Sequence, residues 1–265
     1  MRETLLRAAT YLARTQHKDG SWGDGDPFVC ARATYALEAA CGQELAKGLG
    51  IGFLERLQSS DGHFAGKSGV YTDAACTAYA LVVLNRFNYS KASLSVSRGL
   101  MWLMEHQRSD GSWSGRNSTK NAYTTSLCLR ALYTYYLSGL AKYRLGLGHV
   151  LEQVNATGFF EEPVSHVYAP VLNLRRIEQL PPVAEARFLK YAVAHVDKAM
   201  ADGQIADIAY LAGTLGAMGE RTLRTRCIEW LRTVQNKDGG YGKEKGTESE
   251  PNWTALVVLA IADKL

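Results

Sequence analysis

Two kinds of apolar segment alternate along the chain. One kind carries a single apolar stripe among charged and polar residues: 3–15, 46–57, 91–106, 141–153, 183–199 and 220–234. The other is rich in Ala, Leu and small residues and is apolar nearly all round, as in TDAACTAYALVVL at 72–84 and WTALVVLAI at 253–261. A helix with one apolar stripe belongs on the outside of a structure and one apolar on every side belongs within it. The pattern therefore predicts outer and inner helices in strict alternation.

The junctions repeat as well. Gln16, Gln58, Gln107 and Gln235 each open a Gln-x-x-Asp-Gly turn that leads to an aromatic: Trp22, Phe64, Trp113 and Tyr241. The first three glutamines are 42 and 49 residues apart. A weaker copy runs from Gln153 to Phe160 through Gly158, and a degenerate one spans 183–219 with Ala201-Asp202-Gly203 as its turn. Six repeats fill residues 1–265, a period that belongs to repeat architectures. The expected fold is all-α, a single-domain (α/α)6 toroid of six inner helices within six outer ones. In each turn the glycine supplies a left-handed step. The glutamine can bond exposed helix-end groups, and the aromatic has something to bury.

Composition changes this picture little. A formal net charge of +4 spread over scattered Lys and Arg gives no basic patch, so nucleic acid is not an expected partner. Cys30, Cys41, Cys76, Cys128 and Cys227 are odd in number and widely spaced, which favours reduced thiols and a cytoplasmic setting. Neither a secretory leader nor a membrane-spanning run is expected.

The turns resemble the QW motif of the squalene/oxidosqualene cyclase superfamily. Thr77-Ala78-Tyr79-Ala80-Leu81 and, less closely, Thr254-Ala255-Leu256 are similar to an inner-helix pattern shared by those cyclases and protein prenyltransferase β subunits. The resemblance implies one of two activities. Class II terpene cyclases protonate an alkene or epoxide from the middle Asp of D-x-D-D-T-A, without metal, in an apolar cavity between two toroids. Prenyltransferases activate a peptide thiol on zinc held by Asp, Cys and His. Neither motif is intact. Val70-Tyr71-Thr72-Asp73 stands where D-x-D-D would fall, so Thr72 replaces the donor. Glu250-Pro251-Asn252-Trp253 is an echo with one acid, and Asp24-Gly25-Asp26-Pro27 lacks the following Asp-Thr-Ala. Asp73 and Cys76 share a helix face, yet the Asp-x-Cys spacing of the zinc enzymes is missing, so no metal or other cofactor is expected.

In a toroid the residues just before and within the first turns of the inner helices meet at one mouth. Asp73, Glu250, Asp26 and His166 are the candidate catalytic groups. Tyr71, Thr72, Cys76, Tyr79, Asn121, Tyr123, Tyr168, Asp207, Tyr210, Asn252 and Trp253 are the candidate substrate contacts. Aromatics with a few carboxylates suit an apolar small-molecule substrate that develops positive charge. Asp73 reads either as a general acid, which needs a raised pKa, or as a helix cap held as its anion. Glu250 and His166 have the same two readings, structural or catalytic. The expected function is a terpene-cyclase-like enzyme of isomerase or lyase type, closing an isoprenoid-derived chain by acid. A binding toroid without catalysis and a zinc prenyltransferase-like enzyme are the alternatives. A lone toroid with an open mouth also suggests a homodimer or a second toroid subunit.

Overall fold

A computed structural model of the chain describes residues 1–67, 71–113 and 122–265. Helices are the only regular elements among these residues. The outer ones are α1 (Arg2–Thr15), α3 (Glu44–Leu57), α5 (Leu94–Glu105), α7 (Ala141–Asn155), α9 (Pro182–Ala201) and α11 (Arg221–Thr233). The inner ones are α2 (Pro27–Ala39), α4 (Asp73–Arg86), α6 (Ala122–Thr134), α8 (Val164–Arg176), α10 (Ile205–Met218) and α12 (Pro251–Ile261). Each inner helix packs on the next, and α12 packs on α2, so the inner ring closes. This is the (α/α)6 toroid that the alternation predicts. No described helix is long and apolar enough to cross a membrane.

The Gln-x-x-Asp-Gly turns show how the two rings are stapled. Each glutamine Nε2 donates twice, once to its own turn and once to the next outer helix. Gln16 reaches Gly20 O and Ala46 O, Gln58 reaches Gly62 O and Ser95 O, and Gln107 reaches Gly111 O and Lys142 O. Gln235 reaches Gly239 O and, across the chain ends, Thr4 O at 3.0 Å, which joins the last turn to the first helix. The turn glycines sit at φ between +85° and +101°, where an L side chain is strained. At Gly111 a Cβ would also stand 2.6 Å from the carbonyl of Leu145. Turn geometry and the close approach of the next helix therefore demand the same residue.

The aromatic goes inward. Trp22, Phe64, Trp113 and Tyr241 have no exposed surface. The Trp22 and Trp113 indoles donate to Leu12 O and Leu103 O, carbonyls of the preceding outer helices. Their own backbone amides need acceptors, and the inner helices supply them. Phe64 N donates to Thr77 Oγ1, Trp113 N to Thr125 Oγ1 and Tyr241 N to Thr254 Oγ1, while Trp22 N faces Cys30 Sγ. The inner-helix threonine is thus the acceptor half of the staple. The weaker copy lacks this hardware: Gly158 keeps its left-handed φ, but Gln153 lies within α7 and a 3-10 turn, Phe159–Glu161, replaces the staple.

Candidate functional site

Several of the predicted groups at the N-terminal ends of the inner helices are committed to holding those helices. Asp26, fully buried, caps α2 through Phe28 N at 2.9 Å and accepts from Lys67 N, which ties the loop between α3 and α4 to the first inner helix. Thr72, in the place of the proton donor, caps α4 by accepting from Ala75 N. Asp73 accepts from Gly66 N at 2.9 Å. Glu250 stands at the N-cap of α12, with Pro251 at the first helical position where a missing N–H costs nothing. His166 lies on the exposed side of α8 against Glu162, away from the other candidates. Cys76 is buried, and burial together with the Asp26 charge pushes its thiol far above the ordinary range. Among the described residues no three His, Cys, Asp or Glu side chains are grouped to hold a metal ion. Asn121 lies outside the described residues, as does Val70 of the degenerate acid motif.

The aromatic candidates come together around a residue the sequence pattern did not single out. Arg32 of α2 is 2% exposed. Its guanidinium lies 4.7 Å from the centre of the Phe28 ring and 5.9 Å from that of Tyr79, and donates to Asn252 Oδ1 at 2.9 Å. Tyr71 stacks on Phe28 at 3.9 Å and Phe28 on Tyr79 at 4.5 Å. Across the axis Tyr168 stacks on Tyr210 at 3.8 Å and donates to the Tyr123 hydroxyl. Deeper in the axis lies a second arginine, Arg130 of α6, bonded to Asn173 Oδ1, whose amide donates to Ser126 Oγ. A cavity of about 20 Å³ is lined by the two arginines together with Phe28, Tyr79, Tyr123 and Tyr168. That is room for one water-sized body, not for a hydrocarbon chain.

Charge in this axis is one-sided. Neither Arg32 nor Arg130 is paired with a carboxylate among the described residues. Burial raises the hydroxyls of Tyr123, Tyr168 and Tyr210 well above their ordinary value, so the phenols stay neutral. For Tyr79 the expectation of a ring awaiting a developing cation needs correction, because Arg32 already lies over the Phe28 and Tyr79 rings. One sequence signal could have revealed it. Cys30 stands in the register of Thr77, so Arg32 stands where the second repeat has Tyr79. A charged residue amid Cys30-Ala-Arg-Ala-Thr34, otherwise an inner-helix segment, marks an unusual lumen.

At the mouth itself Tyr71, Tyr123, Asn252 and Trp253 are half-buried, so their outer surfaces remain accessible. Asp207, in the first turn of α10, is also half-buried. Desolvation raises its carboxyl above the ordinary range, with Lys243 and His195 pulling the other way.

Known proteins of this shape can now be set beside it. Residues 70–143 match the squalene-hopene cyclase C-terminal domain, and residues 189–264 match the prenyltransferase alpha-alpha toroid domain. The fold is an α/α-toroid, and two stretches of the chain are similar to a cyclase domain and to a prenyltransferase toroid domain. Drimenyl diphosphate synthase of Streptomyces showdoensis is 30% identical over 126 residues, 43% of this chain and 24% of that protein. The match thus spans about a quarter of that relative's length. A protein from Actinoplanes has the same fold with a TM-score of 0.74 at 16% identity, over 99% of this chain and 98% of its own. The type II terpene cyclase MstE from Scytonema has it with a TM-score of 0.69 at 12% identity, over 98% and 97%. MstE is also known in complex with geranylgeranyl dihydroxybenzoate as substrate.

Proposed function

We propose that this toroid is a terpene-cyclase-like enzyme that takes an isoprenoid-derived chain at its mouth and closes it by acid. The observation that carries the reading is the set of half-buried aromatics Tyr71, Tyr123 and Trp253 at the inner-helix N-termini. Half-buried aromatic rings suit an unsaturated hydrocarbon and the positive charge that protonating it creates. Support also comes from the likeness to drimenyl diphosphate synthase and to MstE.

The acid in this reading is Asp207. A general acid needs a carboxyl that keeps its proton towards neutral pH, and burial acts on Asp207 in that direction. The groups in the D-x-D-D register are less suited to the task. Thr72 has no acidic proton of useful strength, and Asp73 is engaged as an acceptor by Gly66. A substrate with an epoxide or polarised carbonyl would ask less of a single carboxyl than a bare alkene.

The non-catalytic reading, a toroid that binds a lipid, gains from the cationic axis, since two guanidiniums beneath the mouth raise the cost of a carbocation above them. One experiment separates the two. Purified protein is incubated without added metal with prenyl diphosphates, squalene, their epoxides and prenylated aromatics, and products are read by mass spectrometry. A cyclic isomer absent from the boiled control, retained by Asp73→Asn and reduced about 10²-fold or more by Asp207→Asn, is the expected result. Retention of a panel member in native spectra without turnover would replace the cyclase by a binding protein. Turnover unaffected by Asp207→Asn would remove Asp207 as the acid. Light scattering at micromolar concentration tests whether the active form is this chain alone, a homodimer or a complex with a second toroid.

A further inference from the structure

The arginine pair in the axis is not used by the proposed chemistry, and it poses a problem of its own. A guanidinium stays protonated in a protein. Burying one without a counter-charge costs several kcal/mol. Here two border one cavity: Arg32 bonds Asn252 Oδ1 and the Tyr79 side chain, and Arg130 bonds Asn173 Oδ1. An amide dipole satisfies a donor but does not cancel a charge. The Nε of Arg32 is buried with no hydrogen-bond partner at all, on a side chain 98% removed from solvent.

Among the described side chains bonded to the pair none is a carboxylate. The nearby hydroxyls of Tyr123, Tyr168 and Tyr210 are neutral phenols, able to donate a hydrogen bond but not to carry negative charge. Arg86 and Arg176 add positive charge on the deep side of Arg130. Arg176 leans on Asp263 and Arg86 lies over the Tyr35 ring, so neither relieves the pair.

We propose that the axis of the toroid binds one small inorganic anion of halide size, held between the Arg32 and Arg130 guanidiniums with phenolic hydroxyls as further donors. The cavity decides the class of ligand. About 20 Å³ accepts a body little larger than a water molecule, and a chloride or bromide is of that order. A sulfate or phosphate, with four oxygens about a central atom, does not fit without displacing rings. The donor set is of the right kind as well, since guanidinium N–H and phenolic O–H groups donate and the rings exclude water. Such an anion would neutralise the axis beneath the mouth. The site stands whether or not the mouth is an active centre.

The test uses the full chain. Crystals soaked in sodium bromide should show an anomalous peak in the cavity within hydrogen-bond reach of both arginines. In parallel, thermal unfolding is followed in sodium bromide and in sodium gluconate at equal ionic strength. Bromide at ten times its dissociation constant should raise the midpoint by about 3–5 °C over gluconate. The shift should vanish in the double variant Arg32→Met with Arg130→Met and persist in Arg130→Lys, which keeps the charge. A cavity that holds only water in the soaked crystals overturns the proposal, and this readout needs no variant to fold. A bromide-dependent shift unchanged in the double variant would also overturn it, as would an equal shift with sulfate.

Discussion

The collar of turns and the axis of the toroid solve opposite problems. In the collar the recurring polar groups have partners: glutamine on two carbonyls, indole on a helix end, aromatic amide on a threonine hydroxyl. The same solution recurs at four of the six junctions because each repeat meets the next in the same way. In the axis six helices converge, and their contributions do not follow one repeated pattern. One gives an arginine where its neighbour gives a tyrosine, and two arginines border one small cavity with no carboxylate bonded to either among the described residues. Repetition fixes the shape, and departure from repetition sets the chemistry at its centre.

The largest effect expected in the collar comes from its glycines. Gly111→Ala would place a methyl group 2.6 Å from Leu145 O at a backbone φ of +85°, so both sterics and strain oppose it. A loss of about 2–4 kcal/mol in chemical denaturation is expected. Gly48, in the exposed middle of α3 with nothing within 4 Å, is the matched opposite. Gly48→Ala should stabilise by about 0.5–1 kcal/mol through helix propensity. If the two alanines behaved alike, the collar would not be the rigid device described here.

Next in size is the threonine acceptor. Thr77→Val keeps shape but leaves the buried Phe64 amide without its acceptor, which should cost about 1–3 kcal/mol. Gln235→Ala removes the bonds to Thr4 O and Gly239 O that join the last repeat to the first, for about 1–2 kcal/mol. Gln153→Ala, at the weaker copy, should lie within about 0.5 kcal/mol of the parent, because Gln153 has no staple to lose. A loss at Gln153 equal to that at Gln235 would show that the degenerate junction is stapled after all.

These contrasts also explain what could be read before the structure. Apolar segments and Asp-Gly turns follow from local geometry that every repeat shares, so helix alternation, ring closure and the buried aromatics were legible. Tyr71, Tyr123, Asn252 and Trp253 stand near helix starts, as their sequence positions suggest, and the Asn252 amide faces the Tyr71 hydroxyl. Their neighbours were not legible. Whether Asp26 faces a substrate or caps a helix depends on the approach of Lys67, forty-one residues away, which no local pattern encodes. Arg32 and Arg130 were passed over because a helix apolar on most sides is read by its majority. His166 shows the converse error, since a position near a helix start does not say which way the side chain turns.

The smallest effect is the one that sets collar against mouth by sign. The turn aspartates have lowered pKa values: Asp19 through the Ser21 side chain, Asp61 through the His63 side chain and Asp110 through the Ser112 backbone amide. A carboxyl lowered by folding adds stability above its unfolded pKa, and that part is lost as pH falls through the folded value. Asp207 is raised by desolvation and works in reverse. Its contribution is complete below the ordinary carboxyl value, near pH 4, and is lost as pH rises through the folded value above it. Denaturation curves taken from about pH 3 to pH 7 therefore contain two opposed slopes. Asp207→Asn should flatten the fall just above pH 4 and leave the acid limb alone. Asp110→Asn, still able to accept from Ser112, should reduce the acid limb alone. If Asp207→Asn left the whole profile unchanged, its carboxyl would be an ordinary solvated one, and the acid assigned to the mouth would have to be sought elsewhere.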